Sequence, residues 1–286
     1  MEFKSLIALI LLAIFLPLSA FSEDPNPPAR KSNKDASAEN KKGDSKKPDL
    51  DQILASHYKA IGGLEKWQKL DTMIMKGTMT AQGVSMPITA YHKRPNNCRV
   101  EYRIEENLMA QVFNGMFAWQ LNPLSGNPDP SPMSQSRSTY LMDTCNIESS
   151  LIDYKKKGHN VRYLGEEEVA GRKAYKVTVN YKSGNIETYF LDTKTYLTIK
   201  VEGIYNIDGN ERRTTTKYTD FKNTNGYVVP YNLTIDIHGT PSTEGLKIDE
   251  FIFNSKINPS MFDFPKDKII DLKKDKIDMQ KMQKKK

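Results

Sequence analysis

The segment ETYFLDTKTYLTIKVE (187–202) has the pattern of two antiparallel strands joined by a tight turn. In its first arm Tyr189 and Leu191 alternate with Thr188 and Phe190, so the two pairs point to opposite faces of a strand. In the second arm the alternation places three apolar residues on one face: Leu197, Ile199 and Val201. Hairpins of this kind recur along the chain and predict a curved sheet with one apolar face.

The period of two begins at residue 72 and returns between turns that contain Gly or Asn. The segments predicted to form strands are 72–80, 85–94, 98–105, 107–123, 160–181, 186–202, 212–221, 228–238 and 246–254. Helices are predicted before Gly62, at 64–70 and at 139–158, the last after a Pro- and Ser-rich loop at 124–138. This order predicts a mainly β fold with a few helices and about eleven antiparallel strands.

The amino terminus has the anatomy of a secretory signal peptide. Lys4 precedes the uncharged apolar run LIALILLAIFLPLSA (6–20), and small residues follow before Glu23. We predict a signal peptide at 1–22 that is cleaved on export. An uncleaved membrane anchor is the alternative. No Cys follows the apolar run, which argues against attachment of a lipid at that point.

The charge of the chain is concentrated at its ends. Residues 23–50 carry seven basic and six acidic residues and no aromatic residue, which predicts a disordered charged tether. Residues 266–286 carry nine Lys against four Asp, and this Lys-rich tail is predicted to be either a frayed solvated end or a helix that touches anionic membrane. The globular domain, 51–265, keeps a net charge of +1, which argues against a nucleic-acid partner.

Two cysteines lie in the exported part of the chain, where a disulfide can persist. Cys98 and Cys145 are therefore candidates for a structural disulfide, although the sequence alone leaves open whether they meet. The chain has no Cys-x-x-Cys pair, so a redox or zinc site is not predicted.

No motif of catalysis or metal binding is found. The histidines lie outside any HExxH frame, and the chain has no G-x-S-x-G elbow or complete phosphate-binding loop. We interpret all four histidines as surface or boundary residues: His57, His92, His159 and His238. The sequence therefore predicts no catalytic residue, no metal ligand, no cofactor and a protein that is not an enzyme, although carboxylates from distant strands would leave no local trace.

Met and aromatic residues are frequent on the first strands. Met adapts its shape, and it suits a surface that accepts variable apolar ligands. The residues predicted to contact lipid are Met73, Met75, Met79, Phe113, Phe117, Trp119, Leu197, Ile199 and Val201. The alternative is that these side chains form an ordinary hydrophobic core.

Five segments together resemble bacterial outer-membrane lipoprotein-sorting proteins, the LolA/LolB-like group that also includes RseB-type sensors. They are HYKAIGGLEKWQKLDTMIMKGTMT (57–80), LGEEEVAGRKAYKVTV (164–179), TYFLDTKTYLTIKV (188–201), YTDFKNTNGYVVPYNLTI (218–235) and NPSMFDFP (258–265). The resemblance implies an unclosed antiparallel β-barrel of about eleven strands around a helical lid. It also implies an apolar cavity for acyl chains.

The resemblance implies a periplasmic carrier or chaperone for lipoproteins or another lipid, acting as a monomer with transient membrane or envelope-protein contacts. The alternative is a lipid-sensing regulatory module, RseB-like, that acts on a protein partner. Arg94, Arg99 and Arg103 lie in the region of the carriers' functional Arg, and no local motif selects one of them. The tether and the Lys-rich tail depart from a minimal carrier and favour a paralogue with another lipid, or a sensor.

Overall fold

The computed structural model describes residues 48–240 and 243–265. The predicted signal peptide, the tether up to residue 47 and the Lys-rich tail lie outside the described residues, so these predictions stay predictions. Across the described ranges, the helices are too short, or too polar, to span a bilayer.

The described residues contain three α-helices: α1 (Leu50–Ala60), α2 (Leu64–Lys69) and α3 (Gln135–Thr144). A capping box starts α1, since Asp49 Oδ1 accepts from the Gln52 amide at 2.9 Å and Gln52 Oε1 accepts from the Asp49 amide at 3.2 Å. Gly62 and Gly63 end it, both with positive φ, of 107° and 105°. Local sequence thus fixes both ends of α1, and the helix ends before Gly62 as predicted.

The third helix is shorter than predicted. It begins at Gln135, before the predicted start at 139, and ends at Thr144 with Cys145 as its C-cap, and residues 146–158 form bends and turns in place of the predicted helix. The reason is local: the Asn146 side chain donates to the carbonyl oxygen of Asp143 at 2.7 Å, which satisfies a carbonyl that a continuing helix would have used. We call residues 146–158 the lid segment.

All strands in the described part of the chain belong to one antiparallel sheet. The strands are β1 (Thr72–Ala81), β2 (Val84–Lys93), β3 (Asn97–Ile104), β4 (Asn107–Asn114), β5 (Ala118–Leu121), β6 (Ser131–Pro132), β7 (Asn160–Val169), β8 (Arg172–Asn180), β9 (Ile186–Asp192), β10 (Thr198–Ile207), β11 (Asn210–Thr224), β12 (Tyr227–Ile237) and β13 (Thr243–Phe253). Their order is β6-β5-β4-β3-β2-β1-β13-β12-β11-β10-β9-β8-β7. The predicted class, an unclosed antiparallel sheet with a helical lid, is confirmed, with thirteen strands in place of about eleven.

The sheet is apolar on both faces over part of its area. One face packs against α1, α2 and the lid segment, through residues such as Leu54, Trp67 and Ile152. The other face of β4 and β5 is covered by the chain after β13, where Phe262 and Phe264 are buried. We call the first the lidded face and the second the outer face.

A β-bulge in β10 changes the face of one predicted residue. Thr198 pairs with Leu191 and Lys200 pairs with Phe190, so Ile199 is the extra residue on this strand. Ile199 packs with Phe190 and Ala174 on the outer face, whereas Val201 pairs with Tyr189 on the lidded face. The prediction that Leu197, Ile199 and Val201 share one face was therefore wrong for Ile199.

Cys98 of β3 and Cys145 at the end of α3 form a disulfide, with their Cα atoms 6.0 Å apart. It is buried beside Phe113, Ala118 and Leu141. The disulfide fixes the start of the lid segment to the sheet.

We expect Gly62→Ala to destabilise the protein by more than about 2 kcal/mol, because a Cβ at this position would fall on the carbonyl oxygen of Gly226. Gly63→Ala is the matched control, since its φ is also positive and a Cβ there meets no atom within 4 Å. Urea unfolding of both variants measures the difference. Equal losses of stability would show that backbone strain alone, and not the contact with Gly226, requires Gly62.

Candidate ligand cavity

A cavity of about 360 Å³ lies between the lidded face and the segments that cover it. This volume is in the range of about 300–1,000 Å³ that is usual for small-molecule sites. Its walls come from α1, α2, the end of α3, the lid segment and strands β1 and β9–β13. The lining residues are His57, Ile61, Trp67, Met73, Met75, Thr144, Asn146, Ile147, Glu148, Ser149, Ser150, Ile152, Glu187, Tyr189, Thr198, Val201, Tyr218, Phe221, Val228, Val229, Pro230, Leu233, Ile248 and Phe251.

Three of the residues predicted to contact lipid line this cavity: Met73, Met75 and Val201. Met79 and Leu197 pack in the hydrophobic cluster that surrounds it, without lining it. These five residues are on the lidded face, as the alternation of the sequence predicted for β1.

The other four predicted residues lie elsewhere. Phe113 packs beside the disulfide, and Ile199 is displaced to the outer face by the bulge. Phe117 and Trp119 pack on the outer face, where the indole N–H of Trp119 donates to the carbonyl oxygen of Phe262 at 3.0 Å. The β4–β5 hairpin is apolar on both faces, so alternation alone could not tell which face meets the lid.

A buried carboxyl group forms the polar part of the cavity wall. Glu187 Oε2 accepts from the hydroxyls of Tyr181 at 2.6 Å and Tyr189 at 2.7 Å, and Oε1 accepts from Tyr205 at 2.9 Å. Burial raises the pKa of Glu187, and the three hydroxyl hydrogen bonds oppose that rise. Ser150 of the lid segment hydrogen-bonds to the Tyr181 hydroxyl. The network thus ties the lid segment to β9 and β10.

A second carboxyl group closes the wall near α2. Glu148 of the lid segment, with a side chain 4% exposed, forms ion pairs with Arg94 at 2.6 Å and Lys157 at 2.8 Å. Arg94 also donates to the carbonyl oxygens of Leu70 at 2.6 Å and Trp67 at 2.8 Å. Of the three arginines that the sequence left open, Arg94 is the one that supports the cavity wall.

The other two arginines of that set are remote from the cavity. Arg99 pairs with Glu101 at 2.8 Å and donates to the carbonyl oxygen of Met261 on the outer face, and Arg103 is exposed. Neither lines the cavity.

His57 is a cavity residue that sequence reasoning missed. It was interpreted as a surface or boundary residue, but it is 2% exposed and lines the cavity. Burial lowers the pKa of His57 to about 4, so the ring is neutral at physiological pH. The signal that could have found it is the helical spacing of α1, which places His57 in the same stripe as Ile53, Leu54 and Ile61.

Glu244 is a buried acid on the lidded face of β13, next to the cavity walls. It is 5% exposed, and its Oε2 has no hydrogen-bond partner among the described residues. Burial raises the pKa of Glu244 to about 7. The described residues also contain no group of three or more His, Cys, Asp or Glu placed to hold a metal ion.

The sequence matches no protein-family model and no curated protein. Among solved structures, a DUF1329 family protein from Desulfovibrio piger is similar with a TM-score of 0.52 and 10% identity, over 74% of this chain and 97% of that chain. A LolA superfamily protein from Nitrosomonas europaea is similar with a TM-score of 0.50 and 13% identity, over 74% and 96%. The chain therefore has a LolA-like fold, as the resemblance of its sequence implied.

We expect Glu244 to make stability depend on pH. Its pKa is raised by folding, so its contribution is fully present below pH 4.5 and is lost as the pH rises to about 7. Glu244→Gln should remove this loss. Relative to the native chain, its free energy of unfolding should rise by about 3 kcal/mol between pH 4.5 and pH 8. Urea unfolding across this range measures the effect.

Glu250→Gln is the control for this prediction. Glu250 is on the same strand, but its side chain is half-exposed and paired with Lys76. Parallel pH profiles for Glu244→Gln and the native chain would contradict the prediction.

Proposed function

We propose that this protein is a periplasmic carrier or chaperone that holds the acyl chain of a lipoprotein or another lipid in the cavity. The observation that carries the proposal is the cavity itself: about 360 Å³ of space beneath a lid, with walls that are mostly Met, Ile, Val, Leu and aromatic side chains. The resemblance of the sequence to lipoprotein-sorting proteins supports acyl chains as the ligand class.

Binding would be driven by burial of methylene groups, each worth about 0.8 kcal/mol. A carrier also has to release its cargo, so its affinity has to stay moderate. The two Met residues of the wall, Met73 and Met75, fit this use, because an unbranched thioether side chain adapts to ligands of different shape.

Release would require the lid segment to move away from the sheet. The segment is held by polar contacts, Ser150 to the Tyr181 hydroxyl and Glu148 to Arg94. It also packs apolar side chains against the sheet and the helices, and the buried Leu151 and Ile152 are among them. Opening the lid would therefore expose apolar side chains to water as well as break the polar contacts.

We expect Met75→Trp and Leu233→Trp to lower the affinity for cis-parinaric acid by at least about tenfold, because an indole at either position takes up cavity volume that the acyl chain needs. Both side chains are half-buried and line the cavity, so a larger ring has room without displacing packed neighbours. Fluorescence titration measures affinity, and circular dichroism checks the fold.

Phe117→Trp is the matched control, since Phe117 is half-buried on the outer face and should leave affinity unchanged. Unchanged affinity in both cavity variants would show that the acyl chain does not bind in this cavity. Native mass spectrometry of the chain purified from periplasm without detergent would identify the cargo. A stable protein partner that dissociates on addition of lipid would favour the regulatory module over the carrier as the function of this protein.

A further inference from the structure

The ring of His57 reaches the cavity from α1. It is 2% exposed and belongs to the buried stripe of the helix together with Ile53 and Leu54. It is also one of the residues that line the cavity. The ring is therefore a polar part of a wall that is mostly apolar.

The hydrogen bond of Nδ1 decides which nitrogen of the His57 ring carries the proton. Nδ1 lies 2.8 Å from the carbonyl oxygen of Tyr196. A carbonyl oxygen can only accept, so Nδ1 carries the proton. In a neutral imidazole Nε2 is then a bare lone pair, which accepts a hydrogen bond and cannot donate one.

The two acidic side chains of the wall and Ser150 are already paired. Glu187 accepts from three tyrosine hydroxyls, Glu148 pairs with Arg94 and Lys157, and Ser150 bonds to Tyr181, a residue behind the wall. Among the described residues that line the cavity, only His57 has a buried polar atom without a hydrogen-bond partner, and that atom is Nε2. A buried acceptor left unpaired costs free energy, so a ligand that pairs it is favoured.

We propose that the cavity selects an acyl lipid that carries a hydrogen-bond donor, a hydroxyl or an amide N–H, which binds Nε2 of His57. This inference rests on the proposed carrier function and names its ligand class. A plain hydrocarbon chain leaves Nε2 unpaired. An ionised carboxylate has no proton to donate, and its charge would lie in a buried wall that already contains two acidic side chains, Glu148 and Glu187.

Ligands of equal chain length that differ in their hydrogen-bond donor can test this proposal. Tetradecanol and tetradecanamide have the same chain length as methyl tetradecyl ether, which has no donor. In displacement of cis-parinaric acid from the full mature chain, we expect the alcohol or the amide to bind about tenfold more tightly than the ether. Whichever of the two binds more tightly identifies the donor as a hydroxyl or an amide.

The variant His57→Asn tests the assignment to this residue. The Asn amide nitrogen can take the place of Nδ1 toward Tyr196, but the side chain is too short to present an acceptor where Nε2 lies. We expect the preference for the donor ligands to fall below about twofold. His92→Asn is the control, since His92 is on β2 and does not line the cavity, and it should keep the preference.

The nitrogen-15 chemical shift of Nε2 in the native chain gives a second readout that needs no variant. It should differ between the alcohol and ether complexes, because only the alcohol donates to this atom. Equal affinities of alcohol, amide and ether for the native chain, or one shift in all complexes, would overturn the role of His57 and leave the carrier function standing. Failure of every acyl ligand to bind, cis-parinaric acid included, would overturn both.

Discussion

The apolar lidded face of the sheet has to be shielded from water, and this requirement organises the molecule. A sheet of thirteen strands presents more apolar area than two helices of eleven and six residues can cover. The lid segment and the curvature of the sheet close most of the remaining gap, and the cavity is what they leave. The space for a ligand is therefore a result of how the sheet is covered.

The outer face is covered by a different segment of the chain. After β13 the chain crosses back over β4 and β5 and buries Phe262 and Phe264 beside Trp119. The rings of Trp119 and Phe264 meet edge to face with centroids 5.8 Å apart. This second cover explains why the β4–β5 hairpin is apolar on both sides. It also separates residues that only support the sheet from residues that can touch a ligand.

The sequence predicts the strands well because each has a period of two, and it predicts α1 because Asp49, Gln52 and the Gly pair specify its ends. It predicts the cavity less well. The bulge at Ile199 depends on pairing with β9, and the face of Trp119 depends on a segment 143 residues later in the chain. The burial of His57 could have been predicted from the helical stripe of α1. Its unpaired Nε2 could not, because that follows from a hydrogen bond between Nδ1 and Tyr196, which is distant in sequence.

The attachment of the lid segment limits the shape of what can enter. The segment is fixed at its start by the disulfide of Cys145 and at its end by the strand that begins at Asn160. Because the lid segment is attached at both ends, its middle can move away from the sheet, but neither end can rotate outward. The entrance is then a slot, which favours slender molecules that slide in end first and turns away bulky ones before any chemical group is recognised.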